Sequence, residues 1–571
     1  MRNLLVIILT CLPLFLFSQQ LQLQDTILTT LDAVQKHRYT IAMDNDQIAF
    51  ITLNQIGVDV AITVFDTDGK KMGESDSPNG RYGPEPVRLK STVKGLYTIE
   101  VASIDTKTTK GSYKLYLKTI IDQATNPFGQ VNQVFLPWDN KETPGAAVAI
   151  IKEGKVIFQN TYGSANLEYD IPITSKTVFR TGSVAKQFTA FSILLLESLG
   201  KLSLEDDIRK YIPEVPDFGS KITLRNLANH TSGLREEAVL AALMGWDEGD
   251  IVTKKQVLNV VAQQKDLNFK PGEQYLYCNT GYTLLAEVVS RVSGKSFSRF
   301  TNEAIFAPLG MQNTRFLDNP RQVIKNKAYS YYQHGNGYQK AILNDANSGG
   351  SGLLTTIEDL ALWVQNFEQI KVGTSAIFKT MKLPGKLNNG ELTNYGMGME
   401  SMIYKGVENI GHGGALGGFR ARVVRFPAYD FTIVLLANTP EVHPLHIPNE
   451  IANIFLRDVL KPENTNESLS NSTVAVSNER HTDFDIKDLD AYLGRYYSEE
   501  LATEYEFMLQ NGIAVLKHPR LQIQLSPSAK DEFIVEGWAA AKIKLLRTAN
   551  NMVSGFKFSM INTKNIQFVK R

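Results

Sequence analysis

Three short stretches carry residue types that together could make and break an acyl bond. The first is Phe179-Arg180-Thr181-Gly182-Ser183-Val184-Ala185-Lys186. A serine and a lysine three positions apart share one face of a helix. A serine in the first turn also has the helix N-terminal field and a free backbone N–H beside it. A serine hydroxyl is a poor nucleophile at neutral pH and needs a base within hydrogen-bond reach. A lysine one turn away, partly desolvated, can help to supply it. The second stretch is Tyr277-Cys278-Asn279, which follows the turn Pro271-Gly272. A tyrosine near a cationic lysine can shuttle a proton, and an asparagine amide can bond both the lysine and a substrate carbonyl. The third is Ile410-Gly411-His412-Gly413-Gly414-Ala415-Leu416-Gly417-Gly418-Phe419. So many glycines let a backbone approach a ligand, and an N–H from this run can pair with that of Ser183 as an oxyanion hole. Taken singly, the three describe an ordinary helix start, a surface turn with a buried tyrosine, and a glycine-rich loop.

The elements that must position these residues are legible as patterns. Ala146 to Phe158 reads as a hairpin around Lys152-Glu153-Gly154. Helical periodicity runs from Ser183 to Leu199 and from Gly281 to Val292, and strands return at Arg420–Phe426 and Phe431–Leu436. A sheet with flanking helices over residues 136–460 follows. Before it, residues 25–120 read as short alternating strands of a β-sandwich, for example Gly95 to Val101 and Gly111 to Leu117. Asp59, Asp66 and Asp68 there are read as turn carboxylates in preference to calcium ligands. Residues 461–482, rich in Asn, Ser and Glu, read as a linker, and residues 483–571 as a small antiparallel β-barrel.

The three stretches occur in a fixed order, with Tyr277 about 90 residues after Ser183 and His412 about 135 further on. In that order they resemble the penicillin-recognising serine hydrolases, and within them the group of class C β-lactamases, D-alanyl-D-alanine carboxypeptidases and related esterases. Ile222 to Leu234, Pro308 to Thr314, Gly350 to Thr356 and Ile433 to Asn438 agree in order. The resemblance spans about 320 residues. It implies an α/β core, an all-helical insertion and an active site between them. It implies Ser183 as the acylated nucleophile and Lys186 as its activating partner, with Tyr277 as general base or acid. Asn279 would orient Lys186 and the substrate amide, and the N–H groups of Ser183 and Ala415 would form the oxyanion hole. Gly413 and Gly414 would line the substrate. His412 stands where many β-lactamases carry a lysine. A neutral or partly charged imidazole holds a carboxylate less firmly than an ammonium does, so weaker β-lactam recognition and a better fit to ester or peptide substrates are expected. Residues 25–120 resemble the pre-peptidase C-terminal type of β-domain, and the barrel resembles β-domains appended to relatives near the active-site mouth.

Composition narrows the field further. The chain has 571 residues, with 60 Lys+Arg against 59 Asp+Glu, so neither a nucleic-acid partner nor a polyanionic tail is indicated. Its two cysteines, Cys11 and Cys278, exclude a disulfide scaffold. Cys278 is read as a small buried side chain, His230 as structural, and no metal or cofactor is implied. Residues 1–18 have the layout of a cleaved signal peptide, with Arg2 ahead of an apolar run that Pro13 interrupts. An uncleaved anchor and a lipoprotein at Cys11 are the rival readings of that segment. The expectation is an exported bacterial protein, periplasmic or secreted, with no membrane span after cleavage. Its partner would be a small-molecule or peptide substrate, cell-wall-derived material included. Two rivals stand beside the hydrolase: a penicillin-binding sensor with little turnover, and a surface adhesion or glycan-binding protein built on the flanking β-domains.

Overall fold

The computed structural model describes residues 19–32, 35–76, 81–104, 110–247, 249–335, 337–344, 346–461, 486–538 and 540–571. The signal segment 1–18 and nearly all of the linker 461–482 therefore lie outside the described residues. The chain divides into two compact units. One takes in the chain up to Pro137 together with Gln333–Gln339, and the other takes in Trp138–Tyr332 and Lys340–Arg571.

The first unit contains two β-sheets. The five-stranded sheet runs Gln19–Gln20, Lys36–Met43, Gly95–Ser103, Val60–Phe65, Lys71–Ser75, and the four-stranded sheet runs Thr26–Asp32, Lys110–Asp122, Gln47–Ile56, Tyr82–Lys90. Strict alternation decides which side chains face inward. Tyr97, Ile99 and Val101 are fully buried while Leu96 is exposed, and Tyr113, Leu115 and Leu117 join the same core. Asp66 is a turn carboxylate: its Oδ1 accepts from the N–H groups of Asp68 at 3.0 Å and Lys70 at 2.8 Å.

The second unit is built on a six-stranded antiparallel sheet. Its order is Lys155–Tyr162, Ala146–Lys152, Phe431–Ala437, Phe419–Phe426, Val407–Leu416, Glu400–Tyr404. Ala146–Ile151 and Phe431–Ala437 are buried on both faces, which is why they read as continuous apolar runs. The helix Ala185–Ser198 is buried almost all round. Two of its polar side chains make buried hydrogen bonds: Thr189 donates to the Gly349 carbonyl at 2.8 Å, and Gln187 Oε1 accepts from Trp363 Nε1 at 2.8 Å. Helices Leu224–Ala228, Glu237–Leu243, Lys254–Ala262, Asn279–Ser293 and Phe297–Thr301 make up the helical part.

The last eight strands, from Gly494–Ser498 to Thr563–Lys570, form a closed antiparallel barrel, sealed where Tyr496 and Tyr497 pair with Lys570 and Val569. The hydrolase elements and the barrel fall in one compact unit. The physical reason is a shared core: Leu240, Leu243 and Val260 from the helical part pack with the barrel's Tyr505, Leu516 and Phe568. Among the described residues no helix is long and apolar enough to cross a membrane.

Candidate active site

Ser183 sits in the one-turn 3-10 segment Gly182–Val184 that leads into the helix Ala185–Ser198. The turn is pinned from upstream, where Phe179–Arg180 pairs with Leu353–Thr355 and the Thr181 N–H donates to the Leu353 carbonyl at 3.1 Å. Gly182 has φ +51°, and a Cβ there would meet the backbone N of Ala415 at 2.7 Å. A Cβ on Gly414 would come within 2.9 Å of the Ser183 nitrogen and collide with the Thr181 carbonyl. The glycines therefore bring the Ser183 turn and the strand Val407–Leu416 into backbone contact, with the Ser183 and Ala415 amides on the two sides of it.

Lys186 is fully buried. Its Nζ lies 3.0 Å from Ser183 Oγ, 2.6 Å from Asn279 Oδ1 and 2.8 Å from the Gly350 carbonyl. Burial pulls the ammonium down to about 7, against the opposing charges of Glu236 and Glu237. The neutral amine has two N–H donors and one lone pair. Asn279 Oδ1 and the Gly350 carbonyl can only accept, so they take both N–H groups. The lone pair is then left for Ser183, the one partner of the three that can donate a proton. The orientation of the Asn279 amide follows from its other side, where Nδ2 donates to Glu236 Oε1 at 2.9 Å and the backbone N–H to Glu236 Oε2 at 2.6 Å. Asn279 is the first residue of the helix Asn279–Ser293, so Glu236 also accepts one of that helix's unpaired N–H groups.

Tyr277 packs against the lysine, with Nζ 4.8 Å from its ring centre. Burial holds its hydroxyl well above the ordinary 10, and the Ser183 side chain beside it opposes that shift. The Tyr277 oxygen is buried and makes no hydrogen bond of full geometry. His230 shapes the loop that carries Tyr277. It holds φ +58°, its Nδ1 accepts from the Cys278 N–H at 3.0 Å, and its ring lies 4.2 Å from that of Tyr277. Burial keeps His230 well below 6.5 and raises the Cys278 thiol.

His412 is 2% exposed and lowered to about 4 by burial, so it is neutral at pH 7. Its Nδ1 lies 2.5 Å from the Gly413 carbonyl, which can only accept, so Nδ1 carries the proton. Its Nε2, 2.8 Å from Tyr395 Oη, is then the acceptor. Both ring nitrogens are thus engaged inside the protein, and His412 presents no charge to a substrate.

The structure therefore gathers Ser183, Lys186, Tyr277 and Asn279 around one point, with Gly413, Gly414 and Ala415 on the strand beside it and His412 behind. Sequence reasoning missed Glu236, the Gly350 carbonyl and Tyr395. The signal for Glu236 was its place just after His230-Thr231-Ser232-Gly233-Leu234. Among the described residues no group of three or more His, Cys, Asp and Glu could hold a metal ion.

Most of the second unit is similar to known proteins. The Beta-lactamase family model matches residues 122–454, more than half the chain. A D-aminopeptidase from Brucella anthropi is 29% identical over 284 residues, 50% of this chain and 54% of that protein. Penicillin-binding protein 4* from Bacillus subtilis is 29% identical over 305 residues, 50% of this chain and 66% of that one. The chain spans about half the length of the curated D-aminopeptidases it matches. The fold is shared with an octameric penicillin-binding protein homologue from Pyrococcus abyssi, at TM-score 0.51 and 23% identity over 77% of this chain and 99% of that one.

Proposed function

The chain belongs to the beta-lactamase family, and on that premise we propose that it is an exported serine hydrolase that cleaves an ester or amide through an acyl-enzyme on Ser183. The observation that carries this is the buried contact of Lys186 Nζ with Ser183 Oγ at 3.0 Å, in a cage whose other two partners, Asn279 Oδ1 and the Gly350 carbonyl, can only accept. Neutral Lys186 takes the Ser183 proton as Oγ attacks the carbonyl carbon. The Ser183 and Ala415 N–H groups receive the oxyanion. The protonated Lys186 and the Tyr277 phenol then pass a proton to the leaving amine or alcohol as its bond to carbon breaks. Water attacks the ester of Ser183 in the reverse sense and returns the proton to the serine oxygen.

A D-amino-acid peptide, amide or ester is the substrate class we favour. The Brucella anthropi relative is named a D-aminopeptidase, and a neutral His412 offers no cation to a substrate carboxylate. For the same reason efficient β-lactam hydrolysis is not expected. Export is proposed from the signal-like residues 1–18, and a mature N-terminus at Gln19 would support it.

The test is a hydrolysis panel of p-nitrophenyl esters, D-amino-acid amides, D-Ala-D-Ala peptides and a chromogenic cephalosporin, alongside fluorophosphonate labelling. Wild type should label and turn over at least one ester or amide, and Ser183→Ala should do neither. A protein that takes no label and hydrolyses nothing in the panel defeats the proposal. The similarity to penicillin-binding protein 4* keeps a second reading in view, that of a protein that acylates and stalls. Its signature is a stoichiometric burst of product with no steady rate.

A further inference from the structure

The carboxylate that orients Asn279 does not stand on the hydrolase elements alone. The Glu236 backbone N–H is shared between Thr563 Oγ1 and the Asn562 carbonyl, each at 3.2 Å. Both belong to the turn that opens the barrel's last strand, Thr563–Lys570. The preceding residue, Arg235, has a side chain 1% exposed. Its guanidinium bonds Glu500 of the barrel, the Lys564 carbonyl at 3.0 Å and the Asn565 carbonyl at 3.2 Å, with Gln264 at 3.0 Å. Asn268 ties the same turn down, donating to the Asn562 carbonyl at 3.0 Å and accepting from the Lys564 N–H at 2.8 Å. Every described hydrogen bond of the Glu236 main-chain N–H is therefore made to the barrel, and every one of its side chain to Asn279.

We infer that the C-terminal barrel is a working part of the catalytic centre: its Asn562–Asn565 turn and Glu500 hold the Arg235–Glu236 segment, and Glu236 is the positioning residue that fixes which way round the Asn279 amide faces Lys186. This rests on the Ser183–Lys186 chemistry proposed above. The argument is one of donors and acceptors. Glu236 accepts from Asn279 Nδ2, so Oδ1 must face the lysine. Turned the other way, Asn279 would aim its NH2 at Nζ, the lysine lone pair would bond to that NH2, and Ser183 would lose its base. A glutamine at 236 has one acceptor oxygen where glutamate has two, so the two donors must share it or one must face its NH2, and the hold on the amide is weakened. The side chain also brings a negative charge to a lysine that faces Glu237 from the same segment, Tyr277, Cys278 and Tyr282 from the second stretch and its helix, His230 from its turn, and Glu400 and His412 from the sheet.

The experiment uses full-length protein. Wild type, Glu236→Gln, Glu236→Asp and the double variant Glu500→Gln with Thr563→Val are compared for labelling, kcat, KM and the pH dependence of kcat/KM, each well below its own Tm. Glu236→Gln should lower kcat about ten- to a hundredfold with KM little changed. Its acid limb should move to lower pH, because the charge that raises Lys186 is gone. Glu236→Asp should keep the wild-type limb. The double variant should lower kcat severalfold without moving KM, through a barrel surface that touches no substrate. If folded Glu236→Gln retains the wild-type kcat and acid limb, Glu236 positions nothing. If the double variant keeps its full kcat, the barrel's part is overturned. A wild type that fails to label defeats the proposed function itself and is distinguished before any variant is read.

Discussion

At the scale of single residues, the division of labour between Lys186 and Tyr277 is set by burial acting on groups of opposite charge type. Desolvation disfavours the charged form of each. It therefore makes the lysine a usable base near neutral pH and makes the tyrosine a firmer acid-form phenol. On the proposed mechanism the active form has Lys186 neutral, and burial lowers its pKa to about 7. We expect kcat/KM to rise about tenfold per pH unit below that value and to level off above it, read from pH profiles of ester hydrolysis. A profile flat from pH 5 to about 9 would exclude lysine as the base. His412 follows the same rule with a consequence for stability. Its folded value near 4 lies below its ordinary 6.5, so between these the unfolded chain binds the proton more readily. Stability is thus full above 6.5 and falls as the pH drops toward 4. Removing its partner should also register. Tyr395→Phe leaves a buried Nε2 without a donor and should cost about 1–3 kcal/mol in urea unfolding, with acylation still measurable.

At the scale of elements, what matters is how closely two backbones meet. The Ser183 turn and the strand Val407–Leu416 touch because Gly182 and Gly414 lack side chains. Gly182→Ala adds a methyl 2.7 Å from the Ala415 nitrogen at a φ of +51°. It should cut kcat about a hundredfold or more while leaving most of the far-UV circular dichroism intact. This closeness also explains what could be read in advance. Ser183 and Lys186 were legible because helical spacing alone puts them on one face, and the antiparallel hairpin and strands because their apolar runs and turns are local. The Gly350 carbonyl was not legible, since a main-chain oxygen leaves no trace in side-chain type. Nor was Glu236: an acid in a loop has no period, and its partners come from chain positions 279 and 562–563. The joining of hydrolase and barrel escaped for a related reason. Several of the bonds across it run to main-chain carbonyls, those of Asn562, Lys564, Asn565 and Glu500 among them.

At the scale of the molecule, the second unit contains two cores locked by a buried ion pair, Arg235 with Glu500. Breaking one half of such a pair strands the other charge in a dry place. Glu500→Ala should destabilise this unit by about 3 kcal/mol, and hydrolase and barrel should still unfold in one transition by calorimetry. Two separated transitions for these parts would contradict a shared core. The net charge of +1 gives no long-range field to gather a charged substrate, so hydrolysis of a neutral ester should change little between low and moderate salt. The placement of the Asn562–Asn565 turn has a consequence in time as well as in space. Ser183, Lys186 and Asn279 are all synthesised well before Asn562 and Thr563, the residues that brace Glu236. Because Leu240, Leu243 and Val260 share a core with the barrel, a growing polypeptide completes neither that core nor the brace on Glu236 until Thr563 has been added. A chain cut short before that point, by a stop codon or a protease, should be both poorly folded in this unit and poorly acylated. On the proposed mechanism, synthesis of the barrel's last strand is then the step that arms the serine.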